Sequence, residues 1–250
     1  MYRFFVEQTA CMGDTIPITG EDLNHMKHVL RLKVGEQVTV SDGSEREYVC
    51  EIEKYIENAA QLRVIDILDS NAELPTQITL YQGYPKGDKL ELIIQKAVEL
   101  GAVRIVPVMT RRSVVKLDAK KAEKKVERYN AIALSAAKQS KRGILPVVDR
   151  VMSFSEALQD AQSLDMILIP YEDARGMRHA ARTVRQVIGK RSVGIFIGPE
   201  GGFEESEVQA ACAVGAECLT LGHRILRTET AGMTILSILM FELETAAETE

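Results

Sequence analysis

Three apolar runs, Met166–Ile169, Ser192–Ile197 and Glu217–Leu221, read as strands of a parallel sheet. In such sheets ligands settle where loops leave the carboxyl ends of the strands. The residues with chemical potential are therefore those that follow Ile169, Ile197 and Leu221. After Ile197 comes Gly198-Pro-Glu-Gly-Gly-Phe203. Pro199 fixes its own φ, while Gly198, Gly201 and Gly202 let a ligand approach bare backbone. A helix N-terminus would ordinarily suit phosphate, but Glu204, Glu205 and Glu207 occupy the start of the helix that follows. They satisfy the same dipole and repel a phosphate. Neither G-x-G-x-x-G nor G-x-x-x-x-G-K-[ST] occurs, so dinucleotide and P-loop chemistry lose their support. A phosphate-free, cationic ligand fits better; an ordinary glycine-rich turn is the plain alternative.

After Leu221 comes Gly222-His-Arg-Ile-Leu-Arg-Thr-Glu-Thr-Ala-Gly232. Ile225 and Leu226 could wall an adenine pocket, with backbone amides bonding a ring edge. Arg227 could face a substrate, or else pair with Glu229 or Glu200 while the two aliphatics join the core. After Ile169 comes Pro170-Tyr171-Glu172, at the third strand end. His25 and His28 stand three apart on a helix but lack further ligands, so a surface role is expected and a metal is not.

The charge is uneven. Residues 1–70 carry −6, residues 71–150 carry +8 and residues 151–250 carry −7, within a total of −5. An acidic chain with one basic segment suits a polyanionic partner that meets one face. The segment holds Arg104, Arg111, Arg112, Lys116, Lys120, Lys121, Lys124, Lys125, Arg128, Lys138, Lys141 and Arg142. Lys120, Lys124 and Arg128 form a stripe at i, i+4, i+8, either a solvated face or a phosphate contact. With only Tyr129 nearby for stacking, a folded RNA read by shape is the better partner.

These residues need a frame. Residues 1–70 show short strands at 38–41, 47–52 and 61–67, with Asp42-Gly43 as a hairpin signal. One helix is expected there, capped by Thr19, with Leu23, Met26, Val29 and Leu30 as its buried stripe. Residues 71–76 read as a linker, and 77–250 as a second domain of alternating strands and helices, an α/β fold with a mainly parallel sheet. Helices are expected at 88–100, closed by Gly101, at 118–140, 178–188 and 204–214, and from 229 on. With 46% hydrophobic residues the 250-residue chain can bury a real core. Cys11, Cys50, Cys212 and Cys218 form no C-x-x-C pair, so free thiols are expected rather than a disulfide or zinc framework. No apolar run reaches a span of about 18 residues, and acid arrives early at Glu7. A cytoplasmic protein without a membrane partner is the expectation.

The motifs Ile197-Gly-Pro-Glu-Gly-Gly-Phe203 and Leu221-Gly-His-Arg-Ile-Leu-Arg-Thr-Glu-Thr-Ala231 resemble those of the ribosomal RNA small subunit methyltransferase E family, a branch of the SPOUT methyltransferases. Tyr2-Arg-Phe-Phe-Val6, His28-Val-Leu-Arg-Leu-Lys-Val-Gly35, Lys96-Ala-Val-Glu-Leu-Gly101 and Ala136-Ala-Lys-Gln-Ser-Lys-Arg142 extend the likeness almost end to end. Ser135 departs from it, since members often carry Glu there. The resemblance implies a PUA-like β-barrel domain over 1–70, and over 77–250 a SPOUT methyltransferase domain, an α/β fold tied in a trefoil knot. It implies S-adenosylmethionine (SAM) as methyl donor, a homodimer, and methylation at N3 of one uridine in the decoding region of 16S rRNA on the 30S subunit. The alternatives are a tRNA substrate or a non-catalytic ribosome-assembly factor.

On that likeness the donor would meet Pro170, Tyr171, Glu172, Gly198, Pro199, Glu200, Gly202, Leu221, Gly222, Ile225, Leu226 and Arg227. RNA would meet Arg3, His28, Arg31, Lys33, Lys86, Arg111, Arg112, Lys138, Gln139, Ser140 and Arg142. Methyl transfer needs sulfur, methyl and acceptor nitrogen held in a row. N3 of uracil carries a proton that must be removed, or the anion it leaves stabilised. Arg227 is the candidate for the anion, with Arg112, contributed by the partner subunit, as helper. Glu229 either orients the arginine or takes the proton. The reacting edge is the pairing edge, so the base must be unpaired or extruded.

Overall fold

The computed structural model describes every residue except 12, 44–45, 70–71, 116–118, 173, 175 and 249–250. Lys116 and the first residue of the expected linker thus lie outside the described residues. Contacts divide the chain into two units. The first holds Met1–Glu73 with Ala137–Leu145, the second Leu74–Ala136 with Pro146–Glu250.

In the first unit, alternating apolar residues make a five-stranded sheet. Its strands are β1 (Arg3–Phe5), β2 (Thr15–Ile18), β3 (Gln37–Ser41), β4 (Arg46–Tyr55) and β5 (Ala60–Asp69), ordered β1-β3-β4-β5-β2. Only β1 and β3 run parallel. Phe4, Ile16, Ile18, Val38, Val40, Ile52 and Leu62 share one buried cluster. A single sheet that sends side chains from all five strands into one cluster must curl around it. The β3–β4 hairpin forms as its Asp-Gly signal suggests, with Gly43 at φ +77°. Ser41 faces Glu47, however, so the connection is longer than a two-residue turn. β2, whose Pro17 weakens its strand signal, was not legible.

Helix α1 (Gly20–Asn24) starts after Thr19, which makes no side-chain cap bond. It continues into a π-helical turn, His25–Val29. That wider turn rotates the expected stripe. Leu23 and Met26 are buried as expected, whereas Val29 is 67% exposed.

The second unit is built on parallel strands throughout. They are β6 (Gln77–Gly83), β7 (Ala102–Met109), β8 (Val147–Val148), β9 (Met152–Ser153), β10 (Met166–Pro170), β11 (Ser192–Ile197) and β12 (Glu217–Leu219). The order is β12-β10-β11-β6-β7-β8, with β9 also on β7. Central β6 and β11 are buried along nearly their whole length because both faces of a parallel sheet are covered. Tyr81 and Phe196 stack across them, ring centroids 4.4 Å apart. The helices are α2 (Lys89–Glu99), α3 (Ala119–Ser140), α4 (Phe154–Ala161), α5 (Met177–Arg185), α6 (Glu205–Ala213) and α7 (Thr228–Ala247). Gly101 closes α2 at φ +93°. α4, which the sequence reading left out, carries a capping box between Ser153 and Glu156.

By length and composition alone α7 is long and apolar enough to cross a bilayer, a test that the core helix of a folded domain also passes. In this fold Ile235, Leu236, Leu239 and Leu243 are buried, while Ile238 and Phe241 on another face are exposed.

Candidate active site

The carboxyl ends of β10, β11 and β12 open on one cleft of about 940 Å³ within the second unit. Two loops line it. The first, residues 198–203, is held from several sides. A Cβ on Gly83, at the end of β6, would lie 2.5 Å from Pro199 Cδ, so a glycine is needed there for Pro199 to seat. Gly198 is also tightly packed: its Cβ would come 3.0 Å from the Gly202 Cα. The Gly202 N–H donates to the Pro199 carbonyl at 2.8 Å, and Gly202 takes φ +68°. The Thr228 hydroxyl donates to the Gly198 carbonyl at 2.6 Å and accepts from Gln82 Nε2 at 2.8 Å. Arg112 Nη1 donates to the Gly201 carbonyl at 2.8 Å. Glu200 accepts from Lys89 Nζ at 2.8 Å and from the Lys86 N–H at 3.1 Å. Burial alone would raise the Glu200 carboxyl, but the Lys89 ammonium and the N–H groups of Glu200 and Lys86 outweigh it and hold the pKa below the usual range.

The acidic helix start behaves as its position requires. Glu207 is buried and folds back to accept the Glu204 N–H at 2.9 Å and the Arg111 N–H at 2.9 Å. Glu205 lines the cleft itself. The dipole end that would hold a phosphate already faces carboxylates.

The second loop, residues 220–227, has few internal ties. Thr220 Oγ1 accepts the Gly222 N–H at 3.2 Å and donates to the Gly222 carbonyl at 3.1 Å. Gly222 stands at φ +125°, and a Cβ there would meet open space, as would one on Gly202. His223, Arg224 and Arg227 are exposed, and Ile225 is 87% exposed.

The structure thus gathers Pro170, Tyr171, Glu172, Gly198, Pro199, Glu200, Gly202, Leu221, Gly222, Ile225, Leu226, Arg227 and Arg112 around one cleft. Arg112 reaches it from its own chain. Glu229, two residues past Arg227 in the first turn of α7, has a buried Oε2 with no hydrogen-bond partner among the described residues. Lys86 and Arg111 are exposed in the same unit, although the Arg111 guanidinium meets Glu204 at 3.2 Å. In the first unit His28, Arg31, Lys33 and Gln139 are exposed, and Ser140 is half-buried. Arg31 takes φ +55° and its exposed counterpart Lys141 φ +59°.

Two expected RNA contacts do not fit. Arg142 is 2% exposed and forks onto Glu73, through Nε at 2.9 Å and Nη2 at 2.5 Å. Arg3 pairs with Glu47 at 2.8 Å and donates to the Arg142 carbonyl. Burying either guanidinium required an acidic partner inside the unit, and a phosphate would have to displace it. Lys138 is half-committed, 2.6 Å from Asp22. In the basic segment Arg104 belongs to an ion-pair cluster with Asp149 and Asp160, and Arg128 meets Glu91.

Gln82, Gly83, Lys89 and Thr228 escaped the sequence reading. The signal was available for two of them, because Gln82-Gly83 ends a strand beside the one that carries the glycine loop. Cys212 and Cys218, which match no spacing motif, approach with their sulfurs 3.0 Å apart.

This geometry is that of an α/β enzyme with a ligand cleft at the carboxyl edge of its sheet. Residues 72–240 match the family described as RNA methyltransferase domain, and residues 18–65 match the RNA methyltransferase PUA domain. The chain is 40% identical to the ribosomal RNA small subunit methyltransferase E of Bacillus subtilis, covering 98% of each. It is 32% identical to that of Mesomycoplasma hyopneumoniae, over 95% of this chain and 98% of the relative. The crystal structure of the enzyme of that name from Neisseria gonorrhoeae, bound to S-adenosyl methionine, superposes with a TM-score of 0.82. It is 29% identical and covers 96% of this chain and 97% of that one. The chain belongs to the ribosomal RNA small subunit methyltransferase E family, and its catalytic class is RNA methyltransferase.

Proposed function

We propose that the protein transfers a methyl group from SAM to N3 of one uridine in the decoding region of 16S rRNA, acting in the cytoplasm on the 30S subunit as a homodimer. The observation that carries this reading is the glycine-backed cleft whose helix end is acidic. Space continues beyond the Cα atoms of Gly202 and Gly222, so a donor can lie against bare backbone there. Glu205 and Glu207 disfavour phosphate and tolerate a positive ligand. SAM meets both conditions, being free of phosphate and cationic at sulfur. Pro170, Tyr171, Leu221 and Leu226 supply apolar walls, and Ile225 has the exposed area to close over an aromatic ring.

When bound, SAM supplies an electrophilic methyl group. The chain's own residues hold the acceptor in line and manage its proton. Arg227, exposed at the cleft at the start of α7, is suited to stabilise the uridine anion. Arg112, anchored on the Gly201 carbonyl, offers a second positive group. Glu229 is the candidate to orient Arg227, or to take the N3 proton if its Oε2, which is buried and without a partner among the described residues, turns into the cleft that Glu229 does not line. Exposed His28, Arg31, Lys33, Gln139, Lys86 and Arg111 are the candidate contacts to RNA. The exposed Ile238 and Phe241 face of α7 supports the homodimer.

The test is to incubate the purified protein with labelled SAM and either free 16S rRNA, 30S subunits or tRNA, and to map the product nucleoside by mass spectrometry. N3-methyluridine at a single 16S position, formed on 30S subunits, is the expected result. Label confined to tRNA, or a product other than N3-methyluridine, would overturn the proposal.

A further inference from the structure

Of the four cysteines, Cys50 is fully buried, whereas Cys212 on α6 is exposed and Cys218 on β12 is half-buried. Their Sγ atoms stand 3.0 Å apart. A disulfide needs about 2.0 Å, so roughly 1 Å of further approach completes the bond. The turn between them is already fixed. Gly215 takes φ +93°, its N–H donates to the Cys212 carbonyl at 3.0 Å, and the Ala216 N–H donates to the Ala211 carbonyl at 3.0 Å. Cys218 is held in the sheet opposite Ile169. Neither sulfur has to search for the other.

We infer that Cys212 and Cys218 form a dithiol site that reacts with low-molecular-mass disulfides and closes into an intramolecular disulfide. Cys212, the exposed member, attacks one sulfur of the reagent and releases one thiol. The Cys218 sulfur then attacks the Cys212 sulfur of the mixed disulfide and releases the second thiol. The two protein thiol protons leave with the two reagent thiols, and two electrons pass from the protein sulfurs to the reagent. Cys212 is exposed and Cys218 half-buried, so the reagent reaches Cys212 first and Cys218 takes the resolving step; burial, with the neighbouring Cys212 sulfur and Glu217, raises the Cys218 thiol. The bond would staple the last turn of α6, which follows the 198–203 loop, to β12, which leads into the 220–227 loop. The inference does not depend on the methyl donor or its acceptor.

The whole protein is treated with glutathione disulfide, acid-quenched, alkylated and cut after Glu217, which lies between the two cysteines. In the wild type the expected product is a pair of peptides joined through Cys212 and Cys218, separated by reductant. Cys218→Ser should instead accumulate glutathione on Cys212, at least ~10-fold more than the wild type retains. Wild-type protein that keeps glutathione on Cys212 to the same extent as Cys218→Ser, with Cys218 alkylated, would overturn the inference. So would a link that joins two chains rather than closing within one.

Discussion

The two loops of the cleft are built on opposite plans. Residues 198–203 are tied by a proline seated on Gly83, by the Thr228 hydroxyl, by Arg112 and by the Glu200–Lys89 ion pair. Residues 220–227 hold themselves through little more than Thr220 and Gly222, and expose Ile225 and three cationic or ionisable side chains. Fixed dipoles lower a barrier only if they need not reorganise. Side chains that must meet a large RNA gain from adaptability. On the proposed function, the first loop is a preorganised floor for the donor, and the second an adaptable wall that closes over the donor through Ile225 and presents Arg227 to the RNA.

That division predicts which measurements move together. Arg227→Ala, on the wall, should lower kcat by ~100-fold or more, the scale of losing one charge-stabilising donor, and change SAM affinity only about 2-fold. Equal losses in both would make Arg227 a floor residue and break the contrast. Gly83→Ala, on the floor, should do the reverse. Its new Cβ meets Pro199 at 2.5 Å, and overpacking of this kind costs ~1–3 kcal/mol. By calorimetric titration SAM affinity should fall ~10-fold or more, with melting temperature reduced. Unchanged affinity would mean that the loop is free to shift.

Thr228→Val comes next. It leaves the Gly198 carbonyl without its donor and Gln82 Nε2 with only the Gly83 carbonyl, at ~1–3 kcal/mol of stability in denaturant titration. Gln82→Leu should cost less, because it also removes the buried Oε1 that has no partner among the described residues. If Gln82→Leu proved the more damaging, the strap would run from Gln82 rather than from Thr228. On the wall, Ile225→Ala should leave stability within ~0.5 kcal/mol, as for any exposed side chain. Weaker SAM binding is still expected from it if, as proposed, the isoleucine closes over the donor.

Much of this was legible in the residues, for reasons that differ by element. The second unit announced itself because buried parallel strands and amphipathic helices have distinct periods, and Gly101 and Gly202 sit where only glycine is comfortable. The acidic start of α6 spoke against phosphate before any coordinates. What stayed hidden depends on distant partners. The ion pairs that bury Arg3 and Arg142 join residues 44 and 69 positions apart, with Glu47 and Glu73, and no local pattern encodes them. Val29 was misread because a π turn keeps helical composition while changing the angle per residue. Gly83 gave a single-letter signal whose meaning lies in Pro199, 116 positions on.

A small effect comes from acid, and it probes the floor alone. Glu200 has its folded pKa held down chiefly by Lys89 against the opposing pull of burial, so its contribution is present above the unfolded value of about 4.3. It disappears as pH falls through the lower, folded value. Glu200→Gln should therefore lower the melting temperature near neutrality, by no more than the ~1 kcal/mol of a partly exposed pair, about 2–4 °C for a chain of this size. The gap between variant and wild type should close as the pH falls through that lowered folded value, because the wild-type carboxyl then becomes protonated and Lys89 loses its partner in both. A gap that persisted unchanged at low pH would mean that Glu200 supports the loop through shape and its bond to the Lys86 N–H, with the Lys89 charge contributing nothing.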